Sequence, residues 1–140
     1  MVDTRRYFCT IEVLDAGWQL RVQPGAVTRQ VNTRLARFGR KLDPDPASEI
    51  GCTSGVVVAS KSSGMACGTQ QNNYQTLESM VVVLPSGSLI DTSADNADNI
   101  LRILEPALDA GLGRLRDRVR ANPESVSTIR RLFAMKHTMV

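Results

Sequence analysis

The sequence predicts an α+β fold, an antiparallel β-sheet flanked by helices. Two strand–turn–strand patterns, over 7–22 and 80–91, carry the β half of this prediction. Apolar residues at helical spacing after residue 95 carry the α half. Strand patterns come first with one helix among them, so the order is not the alternation of a parallel βαβ fold. No internal repeat is present.

The segment RRYFCTIEVL alternates, with Tyr7, Cys9, Ile11 and Val13 on one face. Asp15-Ala16-Gly17 supplies turn chemistry, WQLRVQ alternates again, and Pro24-Gly25 closes the hairpin. Val27, Val31, Leu35 and Phe38 are spaced for one helical face, and Gly39 is placed to stop that helix. Two Asp-Pro steps in RKLDPDPAS favour extended backbone, because the residue before proline avoids the α region. VVVA at 56–59 reads as a short buried strand. MVVVL, then Pro85-Ser86-Gly87, then SLID forms the stronger hairpin signal. Ile100, Leu101, Leu104 and Leu108 then share a helical face, and Leu112, Leu115 and Val119 share another. Asn122-Pro123-Glu124 reads as an N-cap, a proline at the first helical position and an acidic first turn, ahead of Val126, Ile129 and Phe133.

At 140 residues the chain suits one domain, strand-rich over 1–92 and helical over 95–138. Its apolar content of 42% is that of a folded protein, and scarce aromatics leave the core to Val, Leu, Ile and Ala. The net charge of +3 is mild and sits mostly in the last third. Cys9, Cys52 and Cys67 are widely spaced and odd in number, which argues against a disulfide framework. With charged residues after Met1 and no apolar run of membrane-spanning length, the sequence reads as cytoplasmic. The final KHTMV follows a helical pattern with no turn signal, as in a piece of a longer domain.

Catalytic and metal chemistry find little support. His137 is the only histidine and stands far from Cys52 and Cys67, so a zinc ligand set is missing. Cys67 as a nucleophile lacks a base and reads better as a small packing residue. Gly51, Gly55, Gly64 and Gly68, with Thr53, Ser54, Ser62, Ser63 and Thr69, occupy two loops flanking VVVA. Glycine lets backbone N–H groups approach an anion, and hydroxyls add donors. The pattern matches neither a P-loop nor a dinucleotide fingerprint, so a phosphate nest and a solvated Gly/Ser loop both remain open. Arg114, Arg116, Arg118, Arg120, Arg130, Arg131 and Lys136 make a basic region, but acids interleave and stacking aromatics are nearly absent. That region reads as a solvated helix face, not a nucleic-acid surface.

The run RFGRKLDPDPASEIGCTSGVVVASKSSGMACGTQQNNYQTLESMVVVLPSGSLIDT resembles the FAD-binding domain of oxidases of the vanillyl-alcohol oxidase, or p-cresol methylhydroxylase, type. Its nearest likeness is to the D-lactate, glycolate and D-2-hydroxyglutarate dehydrogenase branch. RVQPGAV upstream and LRDRVRANPESVSTIRRLFAMKHTM downstream extend the resemblance over nearly the whole chain. The resemblance implies FAD as cofactor and oxidation of a D-2-hydroxy acid by hydride transfer to the flavin. It implies the second subdomain of such a domain. On this reading Pro44, Asp45, Pro46 and Ser48 line the FAD, and Thr53, Ser54 and Gly55 approach its phosphates. Ser62, Ser63 and Gly64 lie near the flavin end, with Gly68 in the following turn.

Two positions depart from the family pattern. Val56 stands where that pattern has glycine, and Ser60-Lys61 replaces an Asn-Asn pair. The resemblance further implies that a glycine-rich upstream subdomain and a substrate cap domain with the catalytic base belong to the complete protein. No catalytic residue is therefore assigned here, and the isolated chain is expected to be inactive. The missing parts or a partner chain would complete the cleft, and the parent complex could sit at the inner membrane. The alternative is a non-catalytic interaction module.

Overall fold

The computed structural model describes residues 3–42, 44, 46–62 and 71–132, and of Tyr74 the backbone alone. The chain divides into two compact units, Met1–Thr76 and Leu77–Val140. It is α+β with antiparallel pairing, as the element order predicts. The pairing is made in two separate two-stranded sheets.

In the first unit β1 (Ile11–Leu14) and β2 (Gln19–Val22) pair antiparallel, from Ile11 opposite Val22 to Leu14 opposite Gln19. The connecting turn is tight, with Asp15, Ala16 and Gly17 all at positive φ. Helix α1 (Thr28–Leu35) lays Val31 and Leu35 on this hairpin. They form a core with Ile11 and Ala26, and Val13, Leu20, Val22 and Leu42 pack around it. Burying a Val or Leu of this kind contributes about 1.5–3 kcal/mol. The chain then tightens into a 3₁₀ turn over Ala36–Phe38 and stops at Gly39, which adopts φ 65°. The tightening takes Phe38 off the Val31–Leu35 face and leaves it exposed.

The Pro24–Ala26 segment is the most crowded part of this unit. The Gly25 N–H donates to the Phe8 carbonyl at 2.7 Å. A Cβ on Gly25 would lie 2.2 Å from the Thr4 carbonyl oxygen and 2.7 Å from that of Phe8. Residues 4–8 therefore fold back over Gly25, with the Phe8 N–H donating to the Thr4 carbonyl. This corrects the expected first strand: Tyr7 lies in the fold-back and Cys9 directly after it, both exposed, and only Ile11 and Val13 of that alternating face are in β1.

Residues 56–59 are also corrected. They belong to helix α2 (Ser54–Ala59), not to a strand. Val57 is 2% exposed while Val56 is 52% exposed, and a run of only four apolar residues does not distinguish strand from helix. Tertiary hydrogen bonds at the helix start decide it: Ser54 and Gly55 donate to the Ala26 and Pro24 carbonyls. A short helix α3 (Asn73–Thr76) completes the unit.

The second unit opens with the expected hairpin of β3 (Val81–Val83) and β4 (Leu89–Asp91), paired from Val81–Asp91 to Val83–Leu89. Gly87 takes φ 90° in its turn. Helices α4 (Ala97–Leu104), α5 (Pro106–Arg120) and α6 (Pro123–Leu132) follow. Leu108 was expected on one face with Leu104, but the chain breaks between them. Pro106 keeps Glu105 out of the helical region, at φ −135° and ψ 60°, and itself starts α5. Leu108 thus aligns with Leu112, Leu115 and Val119. The Asn122 cap forms as expected, its Oδ1 accepting the Ser125 N–H at 2.9 Å. Phe133, expected on the α6 face, lies outside the described residues.

Glu105 ties the helix break to the β3–β4 turn. One carboxylate oxygen accepts the Ser88 hydroxyl at 2.8 Å and the Ser86 hydroxyl as well. These two hydroxyls, Ser86 first, lower the Glu105 pKa from its ordinary value.

Gly25→Ala should destabilise the first unit by about 3 kcal/mol, at the upper end of overpacking costs, because both flanking atoms are backbone. A urea unfolding midpoint unchanged from the parent would refute the clash. For Glu105 the folded carboxyl titrates below the unfolded one. Its stabilisation is therefore complete above the ordinary glutamate range and is lost as pH falls through the lowered folded value. Glu105→Gln should make thermal stability less dependent on pH across that acid window, checked by melts followed by circular dichroism. An identical acid profile for parent and variant would remove Glu105 from the account.

Candidate cofactor-binding site

The loop entering α2 is held by backbone hydrogen bonds. The Glu49 N–H donates to the Pro46 carbonyl, and the Gly51 and Cys52 N–H groups both donate to the Ser48 carbonyl, each at 2.9 Å. The resulting turn lands on the first turn of α1. There the Thr28 N–H donates to the Cys52 carbonyl at 2.9 Å and the Arg29 N–H to the Glu49 carbonyl at 3.2 Å. A helix begins with N–H groups that lack intrahelical partners, and no side chain caps α1. The loop carbonyls do that work, helped by the Thr28 hydroxyl donating to the Cys52 carbonyl. Asn32 fixes both ends of the loop. Its Nδ2 donates to Glu49 Oε2 at 3.3 Å, and its Oδ1 accepts the Leu42 N–H at 2.9 Å.

Helix α2 starts against the Pro24–Ala26 segment. Thr53 is buried and bridges Val27. The Ser54 N–H donates to the Ala26 carbonyl at 2.8 Å and the Gly55 N–H to the Pro24 carbonyl at 2.9 Å. The Ser54 hydroxyl also donates to the Ala26 carbonyl. A Cβ on Gly55 would stand 2.7 Å from Pro24 Cβ, so close backbone packing accounts for this glycine.

Helix α2 ends on a left-handed residue. Lys61 takes φ 55°, its N–H donates to the Val58 carbonyl, and the Ser62 N–H donates to the Val57 carbonyl. This is the paired-carbonyl stop that usually uses glycine or asparagine at the left-handed position. Asn73 closes it, its Nδ2 donating to the Val57 carbonyl at 2.6 Å and the Ser62 carbonyl at 2.8 Å. Val56 does not need a left-handed backbone. It lies inside α2 and is not among the positive-φ residues, so its branched Cβ is compatible with its conformation.

Of the residues singled out from sequence, Pro44 and Pro46 are buried, Ser48 is exposed, Thr53 is buried, and Ser54, Gly55 and Ser62 are half-buried. Ser48 to Gly55 come together in the loop and the start of α2. Ser62 stands at the other end of α2, about 9 Å along the helix axis for six residues. Its hydroxyl pairs with that of Ser60 at 2.7 Å. Asp45, Ser63, Gly64 and Gly68 lie outside the described residues. Sequence reasoning missed Asn32 and Asn73, whose signal is an amide placed beside apolar helix-forming residues.

The loop leaves a small polar face outward. The Ser48 hydroxyl is exposed, and a Cβ on Gly51 would meet nothing within 4 Å. The Ser54 and Gly55 N–H groups are already used within the fold, so hydroxyls and the open space at Gly51 are what this face offers. Such a surface permits close approach of a small polar group to the backbone. Among the described residues no group of three His, Cys, Asp or Glu is placed to hold a metal. No described helix is long and apolar enough to cross a membrane.

A family model described as an FAD binding domain matches residues 1–93, more than half of the chain. The chain belongs to this family. FAD is its cofactor, and the resemblance drawn from sequence holds at the level of an oxidase-type FAD binding domain. No curated protein matches the chain, and no solved structure does. The family match takes in the first unit and the β3–β4 hairpin of this FAD binding domain, while α4, α5 and α6 lie beyond it.

A non-glycine residue in the left-handed region is strained by roughly 1–2 kcal/mol. Lys61→Gly should therefore stabilise the first unit by about 0.5–1 kcal/mol after the entropy of glycine in the unfolded chain is subtracted. Lys61→Val should destabilise it. Equal unfolding midpoints for the two variants would show that the left-handed stop carries no strain.

Proposed function

We propose that this FAD binding domain is the cofactor-holding part of a flavin-dependent oxidoreductase that converts a small D-2-hydroxy acid to its 2-oxo acid. The family match over residues 1–93 is the observation that carries the flavin reading. The D-lactate, glycolate and D-2-hydroxyglutarate branch is supported by the likeness of the run from Arg37 to Asp91. Bound FAD would supply the acceptor for the hydride of the substrate C–H bond, which carries both electrons, while the hydroxyl proton leaves to a base. The chain's own share is to hold and orient. Ser48 offers a hydroxyl, the turn at Gly51 admits a close approach, and the 44–55 loop is braced by Asn32 against α1. Ser62, Ser63, Gly64 and Gly68 are proposed for the flavin side, following the same likeness. No base and no group that holds the hydroxy acid against the flavin is assigned within the chain, so the reading leaves the chemical step to groups that the chain does not supply.

A second reading, that of an interaction module, draws on the helices of the second unit. None of the residues of α4, α5 or α6 is buried, and Ile103 is 77% exposed. Contiguous exposed apolar patches mark interaction surfaces. A monodisperse monomer that binds no exposed-hydrophobe dye would dispose of it.

FAD added to the purified chain should bind, followed by equilibrium dialysis, and Gly51→Val should weaken it by about tenfold through lost approach. Anaerobic addition of D-lactate or D-2-hydroxyglutarate should leave the flavin oxidised. Failure to bind FAD would overturn the cofactor-holding role, and bleaching of the flavin would overturn the absence of a catalytic base.

A further inference from the structure

A groove of about 520 Å³ opens beside β1, away from the 44–55 loop, and is lined by Ile11, Val13, Arg34, Arg37 and Phe38. Its volume falls in the range of roughly 300–1,000 Å³ typical of small-molecule sites. The floor is apolar: Val13 is half-buried, and Ile11 on the same face of β1 is 5% exposed and belongs mostly to the core. Phe38 forms a partly exposed aromatic wall because the 3₁₀ turn has carried it off the core face. The rim is cationic. Arg34 Nη1 donates to the Ile11 carbonyl at 2.8 Å, and that guanidinium has no ion pair among the described residues. The Arg37 guanidinium has no hydrogen bond or ion pair among the described residues. Among the described residues no carboxylate lines the groove. Glu12, the acid of β1, points to the opposite face and pairs with Arg21 at 3.1 Å.

We infer that this groove binds a small carboxylate with an apolar body, such as a medium-chain or aryl carboxylate. The apolar part would lie on Val13 and Phe38. The carboxylate would reach Arg34 and Arg37, whose planar forks match its two oxygens. Both halves of the ligand are required. A bare anion leaves the floor wet, and a neutral apolar molecule leaves two arginines facing nothing. The inference does not depend on the flavin reading, since none of the lining residues belongs to the 44–62 region.

Equilibrium dialysis of the full chain with labelled octanoate tests it, with acetate and octanol as probes of charge alone and apolar body alone. Octanoate should bind at one saturable site, with acetate and octanol at least about tenfold weaker, the loss of one charge-assisted pair or its apolar counterpart. Arg37→Gln should weaken octanoate by about tenfold at an unchanged melting temperature, because Arg37 braces nothing in the fold. Phe38→Ala should weaken octanoate without affecting residual acetate binding. Absence of saturation, equal affinity of the Arg37→Gln variant, or displacement of octanoate by FAD would each overturn the proposal.

Discussion

The first unit depends on the closeness of two backbones at Pro24-Gly25-Ala26. Three neighbouring segments meet there and none leaves room for a side chain. Gly25 lies under the 4–8 fold-back, and Gly55 lies against Pro24 at the start of α2. The carbonyls of Pro24 and Ala26 then accept the first N–H groups of α2, while Ala26 itself is fully buried in the core. Each net hydrogen bond is worth only about 1 kcal/mol. The constraint is nonetheless strong, because losing the close approach leaves several buried polar groups without partners at once. The position of α2, and with it both ends of the proposed cofactor surface, follows from this crossing.

Glycines and hydroxyls at 51–55 can be read as an anion nest or as a packing device, and the hydrogen bonds divide the set between the two. Thr53, Ser54 and Gly55 serve the crossing with Pro24–Ala26. Ser48 and Gly51 face outward. Membership of the FAD binding family is consistent with this division, since a cofactor surface needs a rigid support beneath it as well as small residues above. The two departures at Val56 and Lys61 then differ in kind. Valine costs nothing in a helical backbone. Lysine takes over a left-handed stop for which glycine or asparagine is better suited.

What was legible in the sequence followed local chemistry. The second hairpin and the turn of the first announced themselves through alternation and turn residues, the stop after α1 through Gly39, and the start of α6 through Asn122-Pro123. Those signals are short-range and carry their own mechanism. The strand expected at 56–59 failed because a short apolar run obeys whichever partner reaches its backbone first. Here the partners were carbonyls some thirty residues upstream, which no window around Val57 contains. Leu108 was placed on the wrong helix because periodicity was followed across Pro106, whose restriction of Glu105 was the stronger signal. Asn32 and Asn73 were illegible for a related reason. An amide in a helical pattern looks solvated until the chain returns to it from ten or more residues away.

The two units also bury their apolar residues differently, and this bears on where binding resides. Ile11, Ala26, Val31, Leu35 and Val57 are buried in the first unit, whereas Ile90 alone reaches that level among the described hydrophobic residues of the second. A surface that must hold a ligand within a few tenths of an ångström needs supporting side chains locked by packing. The first unit has that support under both the 44–55 loop and the groove beside β1. The helices of the second unit lack it on their own, and local opening costs least where few apolar groups are buried. Packing support for a fixed geometry is therefore greater in the first unit. The exposed stripe of Leu108, Leu112, Leu115 and Val119 suits contacts made by burial of area, for which geometry can adjust.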